Sequence, residues 1–431
     1  VMHNHSHSDI YNQGRAPADL WAVSLCLAAV CTGSAWAASP QDHSHSSRLQ
    51  EVRQHIPAED IEVALGLTGI YQQNTHGGVS TRRRAGRLAG SYDVQVTAGL
   101  ERLLGIESAS LFAHAEGFWP RAQGIDGPSV GSFSGVNADA QPRDALILTE
   151  LWYEQGFGDT FTLRAGKMDL TGGFECGGTP VAFDASLFAN DETSQFLNGA
   201  LVNNPTIPFP IYALGVSSLY RPTERLYAAA GIVDAQADMR QTGLRTAFRD
   251  EDYFFGIFET GLTPVLDSPA GPLQGAYRFG FWYDPQPKAH SDSTRAYRDD
   301  LGFYTSCDQM LWRETADPQD FQGLGLFFRF GAANGLRNDV TRFWSAGFQY
   351  QGLFDGRDAD VLGVGVATST FTNRATATFA QDHETVLEVY YRIEVCPHLS
   401  ISPDIQYLKN PGGTQGVADA TVLGLRAQFT F

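Results

Sequence analysis

TVLEVYYRIEV (385–395), the short link CPH (396–398) and LSISPDIQYL (399–408) read as two extended segments joined by a tight turn. Successive side chains of a strand point to opposite faces. In the first segment Leu387, Val389, Tyr391, Ile393 and Val395 therefore share one face, and Glu388, Tyr390, Arg392 and Glu394 share the other. The terminal stretch TVLGLRAQFTF (421–431) repeats the pattern, with Leu423, Leu425, Ala427, Phe429 and Phe431 opposing Arg426, Gln428 and Thr430. In 341–352, Trp344, Ala346, Phe348 and Tyr350 oppose Ser345, Gly347, Gln349 and Gln351.

Working outward, the same period gives sixteen segments: 61–72, 91–101, 108–118, 146–155, 160–169, 211–221, 225–233, 254–263, 275–284, 300–311, 323–333, 341–352, 361–370, 385–395, 399–408 and 421–431. The links alternate in length through most of the chain. GFGD (156–159), PTE (222–224) and CPH are short, whereas 119–145, 170–210 and 234–253 are long. Outer-membrane barrels have short periplasmic turns and long external loops, and an even strand count returns both ends to the periplasm. A soluble sandwich gives no reason for that alternation. The apolar faces also carry aromatics near strand ends, as a lipid-facing girdle does. The expected fold is an all-β, up-and-down antiparallel transmembrane β-barrel of about sixteen strands in a Gram-negative outer membrane, with lipid as the outer partner. A ring that wide leaves an aqueous lumen lined by the polar faces.

Composition agrees with this class and excludes others. No run of 18 apolar residues provides a spanning helix. The net charge of −18 is the wrong sign for a phosphate-binding surface, so no nucleic acid partner is expected. The five cysteines, Cys26, Cys31, Cys176, Cys307 and Cys396, form no Cys-x-x-Cys pair, and no metal or cofactor site is indicated. HNHSHS (3–8), His43 and His45 read as solvated polar tracts. His114 is expected toward the lumen beside Glu116. No Gly-x-Ser-x-Gly elbow, Walker loop or His-Glu-x-x-His helix occurs, so no enzyme activity is expected. Cys176 maps to the outer side and Cys396 to a periplasmic turn, too far apart for a disulfide.

At the N-terminus, LWAVSLCLAAVC (20–31) is an apolar run of secretory length followed by Ala35-Trp36-Ala37, a small-x-small site. Residues 1–37 are expected to be a signal peptide cut after Ala37, 38–60 a short periplasmic lead, and 61–431 the barrel domain with an infolded loop 170–210. Cleavage before Cys31 is a weaker alternative, because Val30 is larger than the residue usually needed there.

The blocks GFYTSCDQMLWRE (302–314), GLGLFFRFG (323–331), RNDVTRFWSAGFQYQGLFDGRDADVLGVGVA (337–367), ETVLEVYYRIEVCPHLSISPDIQYLKNPGG (384–413) and LGLRAQFTF (423–431) resemble the OprB family of carbohydrate-selective porins. LRAGKMDL (163–170) and the stretch from SLFAND (186–191) to FPIYALGV (209–216) are similar to it earlier in the chain. The resemblance covers roughly residues 60–431 and departs from the common family text at Cys307, Cys396 and FECGGTPVAFD (174–184). It implies passive diffusion of small sugars through a narrowed eyelet of charged side chains, formed partly by an infolded loop.

Sugar passage needs donors and acceptors for hydroxyls, with aromatic faces on which a ring can lie. The candidate wall residues are Glu150, Trp152, Glu154, Arg164, Arg278, Trp282, Glu388, Arg392, Glu394 and Arg426. Arg offers a fixed fork of donors and Glu accepts from hydroxyls. The bland reading is that these residues form ion pairs that brace the wall. Loop 170–210 is long enough to be functional. It would present Glu175, Asp184, Asn190, Asp191 and Asn198 to the lumen, or else form an outer lid. Small sugars such as glucose are the expected solutes. The alternatives are a general or cation-preferring porin, and a barrel with a plugged lumen. Monomer and homotrimer both remain open.

Overall fold

The computed structural model describes residues 61–119, 124–141, 146–248, 252–289, 296–317, 320–373 and 378–431. The expected signal segment and the lead up to residue 60 lie outside the described residues. The strands of the wall are β1 (Ile61–Gly78), β2 (Gly86–Gly99), β3 (Ala109–Phe118), β4 (Ile147–Phe157), β5 (Phe161–Met168), β6 (Ala213–Tyr220), β7 (Leu226–Asp234) and β8 (Phe254–Leu262). They continue as β9 (Leu273–Asp284), β10 (Asp300–Arg313), β11 (Gly323–Ala333), β12 (Val340–Gln351), β13 (Val361–Phe371), β14 (His383–Cys396), β15 (Leu399–Lys409) and β16 (Ala418–Thr430). A two-residue strand, Val265–Leu266, folds back onto the start of β9 and adds nothing to the wall.

Each wall strand pairs antiparallel with its neighbours in sequence, and β1 pairs with β16 from Gly66↔Thr430 to Gly78↔Ala418. Leu65 and Phe431 exchange both backbone hydrogen bonds, at 2.9 and 3.0 Å, so the seam is paired to the last residue. All sixteen expected segments are strands. The segment expected at 91–101 stops at Gly99, because Leu100–Leu104 forms a helical turn closed by Gly105 at φ 70°.

The barrel is inside out relative to a soluble domain. Leu425 is 51% exposed while its neighbour Arg426 is 1% exposed. Leu387, Phe279 and Phe303 likewise face outward, and Glu388, Arg278 and Asp308 are buried inward. Near the chain-terminal end, the outward pairs Phe157–Phe161, Trp312–Tyr350 and Phe354–Tyr391 lie 5.7–5.8 Å apart, which places an aromatic girdle at that interface. The links at this end include 158–160, 221–225 and 397–398, and those at the other end include 169–212 and 235–253, which assigns the periplasmic and external sides.

A charge on the lipid face near mid-strand is costly. Leu425→Arg is expected to lower folding stability in lipid vesicles by about 2–4 kcal/mol in a denaturant titration. A loss below about 0.5 kcal/mol would place that face against water.

Candidate permeation path

A ring of sixteen strands is too wide for wall side chains alone to fill. Here two external loops turn inward. The described part of the first, 124–141, packs Ile125, Val130 and Val136 against Val386, Leu408, Ala420 and Val422. The second, 169–212, lays Phe174, Val181 and Phe183 against Tyr227, Phe255, Trp282 and Tyr304 on one side, and Phe188, Phe196 and Leu201 against Phe327, Phe343 and Tyr390 on the other. Inward glycines make room. A Cβ on Gly325 would stand 2.0 Å from Phe188, and one on Gly365 2.9 Å from Phe196 and Leu201.

A loop inside the wall must find partners for its backbone polar groups. Inward charged residues supply many of them. Glu259 accepts from the Ala182 and Asp184 amides at 2.9 and 3.2 Å and from the Tyr227 and Tyr304 hydroxyls. Arg278 pairs with Asp308 at 2.8 Å and donates to the Pro180 carbonyl at 2.6 Å. Arg329 donates to the carbonyls of Asp184, Leu201 and Val202. Glu388 accepts from the Leu197 and Asn198 amides at 2.6 and 2.9 Å.

All ten wall residues named from sequence are on inward-facing positions, but they divide by role. Arg278 and Glu388 are locked beneath the loop by the bonds just described, and Trp282 is wholly buried with them. Arg278 and Glu388 thus help to hold the loop in place. Arg164 bonds Glu154 at 2.8 Å and the Gly173 carbonyl, with its guanidinium between the rings of Trp152 and Phe174 at 4.2 and 4.3 Å. For these residues the bracing reading describes the geometry. Arg426 donates to the Glu192 carbonyl at 2.9 Å, and Gln428, absent from the expected set, to Thr193. Arg392 is buried near them, and Glu394 is partly exposed.

The loop residues divide in the same way. Asp184 pairs with Arg329 and accepts from the Asn204 amide, and Asn198 caps a helical turn and bonds Gln406. Both are buried. Asp191 accepts from Thr193 and Ser194, and Asn190 bonds Arg329. Glu175 closes the hairpin tip by accepting from the Gly178 amide.

That tip corrects one expectation. Cys176 is not on the outer side. Its sulfur lies 3.6 Å from the Glu224 carbonyl and 3.7 Å from Thr263, both at periplasmic turns, because the hairpin Phe174–Val181 descends through the lumen. No disulfide joins Cys176, Cys307 and Cys396.

Among the described residues, the loops border a cavity of about 380 Å³ at the external end. Glu116 of β3, Asp139 of the first loop, and Asp169 and Glu192 of the second line it, with Thr171, Asn203 and Tyr212; Pro208, Phe209 and Pro210 form an apolar side. Tyr212 donates to Glu116 at 2.7 Å. Burial, then the Asp191 carboxylate, pushes Glu192 up to about 8. Burial, then Glu150, pushes Asp169 up to about 6, and burial holds Asp139 well above the usual carboxylate range. Deeper in, the His114 imidazole stands 3.7 Å from Asp93 and 3.6 Å from Glu150, which also accepts from Trp152 and the Asp169 amide. Sequence spacing pointed to Glu116, His114 and Glu150. Asp93 was missed although strand pairing sets it beside Glu116, and Asp139, Asp169 and Glu192 were missed because only the folded loops bring them together.

A closed sixteen-stranded wall, apolar outside and polar inside, with a lumen narrowed by an infolded loop, defines an outer-membrane porin. The chain belongs to the carbohydrate-selective porin, OprB family, whose sequence profile matches residues 83–431. It is 24% identical to Porin B of Pseudomonas aeruginosa over 409 residues, 86% of each chain. It is also 24% identical to Porin AaxA of Chlamydia pneumoniae over 318 residues, 73% of this chain and 65% of that protein. Among solved structures, the high-pH structure of Pseudomonas putida OprB superposes with a TM-score of 0.71 at 20% identity, covering 86% of this chain and 94% of that one.

Charged hydrogen bonds contribute about 1.5–3 kcal/mol each, so losing the Glu259 carboxylate loosens the loop. Glu259→Ala is expected to leave the heat-modifiable gel mobility of a folded barrel and to expose Phe183, Phe188 and Phe196 to chymotrypsin. An intact, uncut variant would show that Glu259 does not hold the loop.

Proposed function

We propose that this porin passes small carbohydrates, monosaccharides the size of glucose, by passive diffusion through the lumen beside loop 169–212. The observation that carries the reading is the external cavity, whose lining combines acceptors and donors with the apolar surface of Pro208, Phe209 and Pro210. A sugar ring has this same division, with hydroxyls at its rim and C–H groups on its faces. The cavity lies at the low end of the roughly 300–1,000 Å³ of small-molecule sites, room for one small solute. From there the path continues past Glu116, His114 and Glu150, with Arg426, Gln428 and Arg392 on β16 and β14 of the same sector. Contacts of this kind are weak enough for a solute to leave, as conduction requires.

The four cavity carboxylates favour a second reading, a cation-preferring diffusion porin. Reversal potentials separate the two. Cation preference is expected to rise between pH 5 and pH 9, because Asp169 and then Glu192 lose protons over that window and the mouth becomes more negative.

Liposomes carrying the protein are expected to swell in glucose, and glucose at about millimolar concentration, near −4 kcal/mol of affinity, should interrupt single-channel current. Equal flux of sugars and of ions of either sign, with no interruption, would overturn the sugar reading.

A further inference from the structure

We propose that the tip of the first external hairpin, the link 79–85 between β1 and β2, binds the phosphate groups of lipopolysaccharide in the outer leaflet of the outer membrane. None of its residues lines the external cavity, so the site is independent of the solute that the channel passes.

Charge is the first reason. The chain carries 48 Asp and Glu against 30 Lys and Arg. None of the acids falls between Glu62 and Asp93, and Val79–Arg87 holds four arginines. Arg82, Arg83 and Arg84 are exposed, and among the described residues their guanidinium groups have no hydrogen-bonding or ionic partner. The planar fork of arginine matches phosphate oxygens two at a time.

The tip is also held in one place. The Ser80 hydroxyl accepts from the Arg82 and Arg83 amides at 3.3 and 3.0 Å. The Ser80 amide donates to the Ser129 carbonyl at 2.9 Å, and the Ser129 hydroxyl donates back to the Ser80 carbonyl at 2.7 Å. Asn74 donates to the same Ser129 carbonyl at 3.0 Å. A turn fixed in this way presents three cations without paying the ordering cost on binding.

Height above the membrane is the third reason. Tyr71 and Leu88 are register partners that both face outward, 47% and 46% exposed. Gln73 follows Tyr71 on that face, so the hydrocarbon ends near the Tyr71 hydroxyl, where an interfacial tyrosine belongs. The arginines stand beyond it on the external side. There the lipid of a Gram-negative outer membrane carries phosphates on a saccharide. An anionic solute is the poorer match, because the cavity it would enter is lined by four carboxyl groups and no Lys or Arg.

The test is titration of the full porin in detergent micelles with lipopolysaccharide, with the same lipopolysaccharide stripped of phosphate, and with phosphatidylglycerol. An arginine at an anionic lipid surface corresponds to about fivefold in affinity, and salt screening lowers the sum over three. The phosphorylated form is therefore expected to bind at least about tenfold more tightly than the stripped form. A variant carrying Arg82→Gln, Arg83→Gln and Arg84→Gln should lose that difference while keeping the heat-modifiable gel mobility and the single-channel conductance of the parent. Equal affinity for the two forms, or a difference that survives in the variant, overturns the proposal. So does phosphatidylglycerol binding as tightly as lipopolysaccharide, which marks a general anionic-lipid patch, or displacement by inorganic phosphate at about millimolar concentration, which marks a site for free anions.

Discussion

A strand edge in hydrocarbon leaves a row of unpaired N–H and C=O groups, each costing several kcal/mol, and the rest of this structure follows from removing that edge. The wall closes only because β1 and β16 pair along their length, down to the reciprocal bonds of Leu65 and Phe431. Closure with sixteen strands fixes a width that side chains cannot fill. The same rule then acts a second time. Loops that enter the lumen bring their own backbone groups, and those need partners as well. Glu259, Arg278, Arg329 and Glu388 are inward charges whose hydrogen bonds go to loop backbone.

This division separates structural from solute-facing polarity. In the sector from β8 to β13 the lumen wall is largely covered, with Phe255, Trp282, Tyr304, Phe327 and Phe343 packed beneath the loop. The sector of β2–β4 and β14–β16 keeps polar groups in smaller clusters, such as Asp93–His114–Glu150. The external cavity lies where the loops meet β3. The four carboxylates there come from three separate elements, β3 and the two loops, so the character of the mouth is set by the way the loops fold.

Period-two alternation made the wall legible. Leu425 outward and Arg426 inward follow from spacing alone, as do Leu387 and Glu388. The destination of loop 169–212 was not legible in the same way, because no local pattern says which wall residues a loop will meet. Arg278 and Glu388 therefore read as pore lining when their partners are Pro180, Asp308, Leu197 and Asn198. Cys176 was placed at the wrong end for the same reason. One signal was available in the text. Gly325 and Gly365 stand at inward positions of strands rich in large residues, and an inward glycine marks a close approach. Asp139, Asp169 and Glu192 carried no comparable mark.

Thr193 and its loop stand in the lumen, bonded to Gln428, while Leu423 faces lipid. Single-channel recording tests this directly, using Thr193→Cys and Leu423→Cys in a background where the three barrel cysteines are serine. A water-soluble, bulky thiol reagent should lower the Thr193→Cys current in discrete steps and leave the Leu423→Cys current unchanged. An unaltered Thr193→Cys current, or a stepwise block at Leu423→Cys, would contradict it.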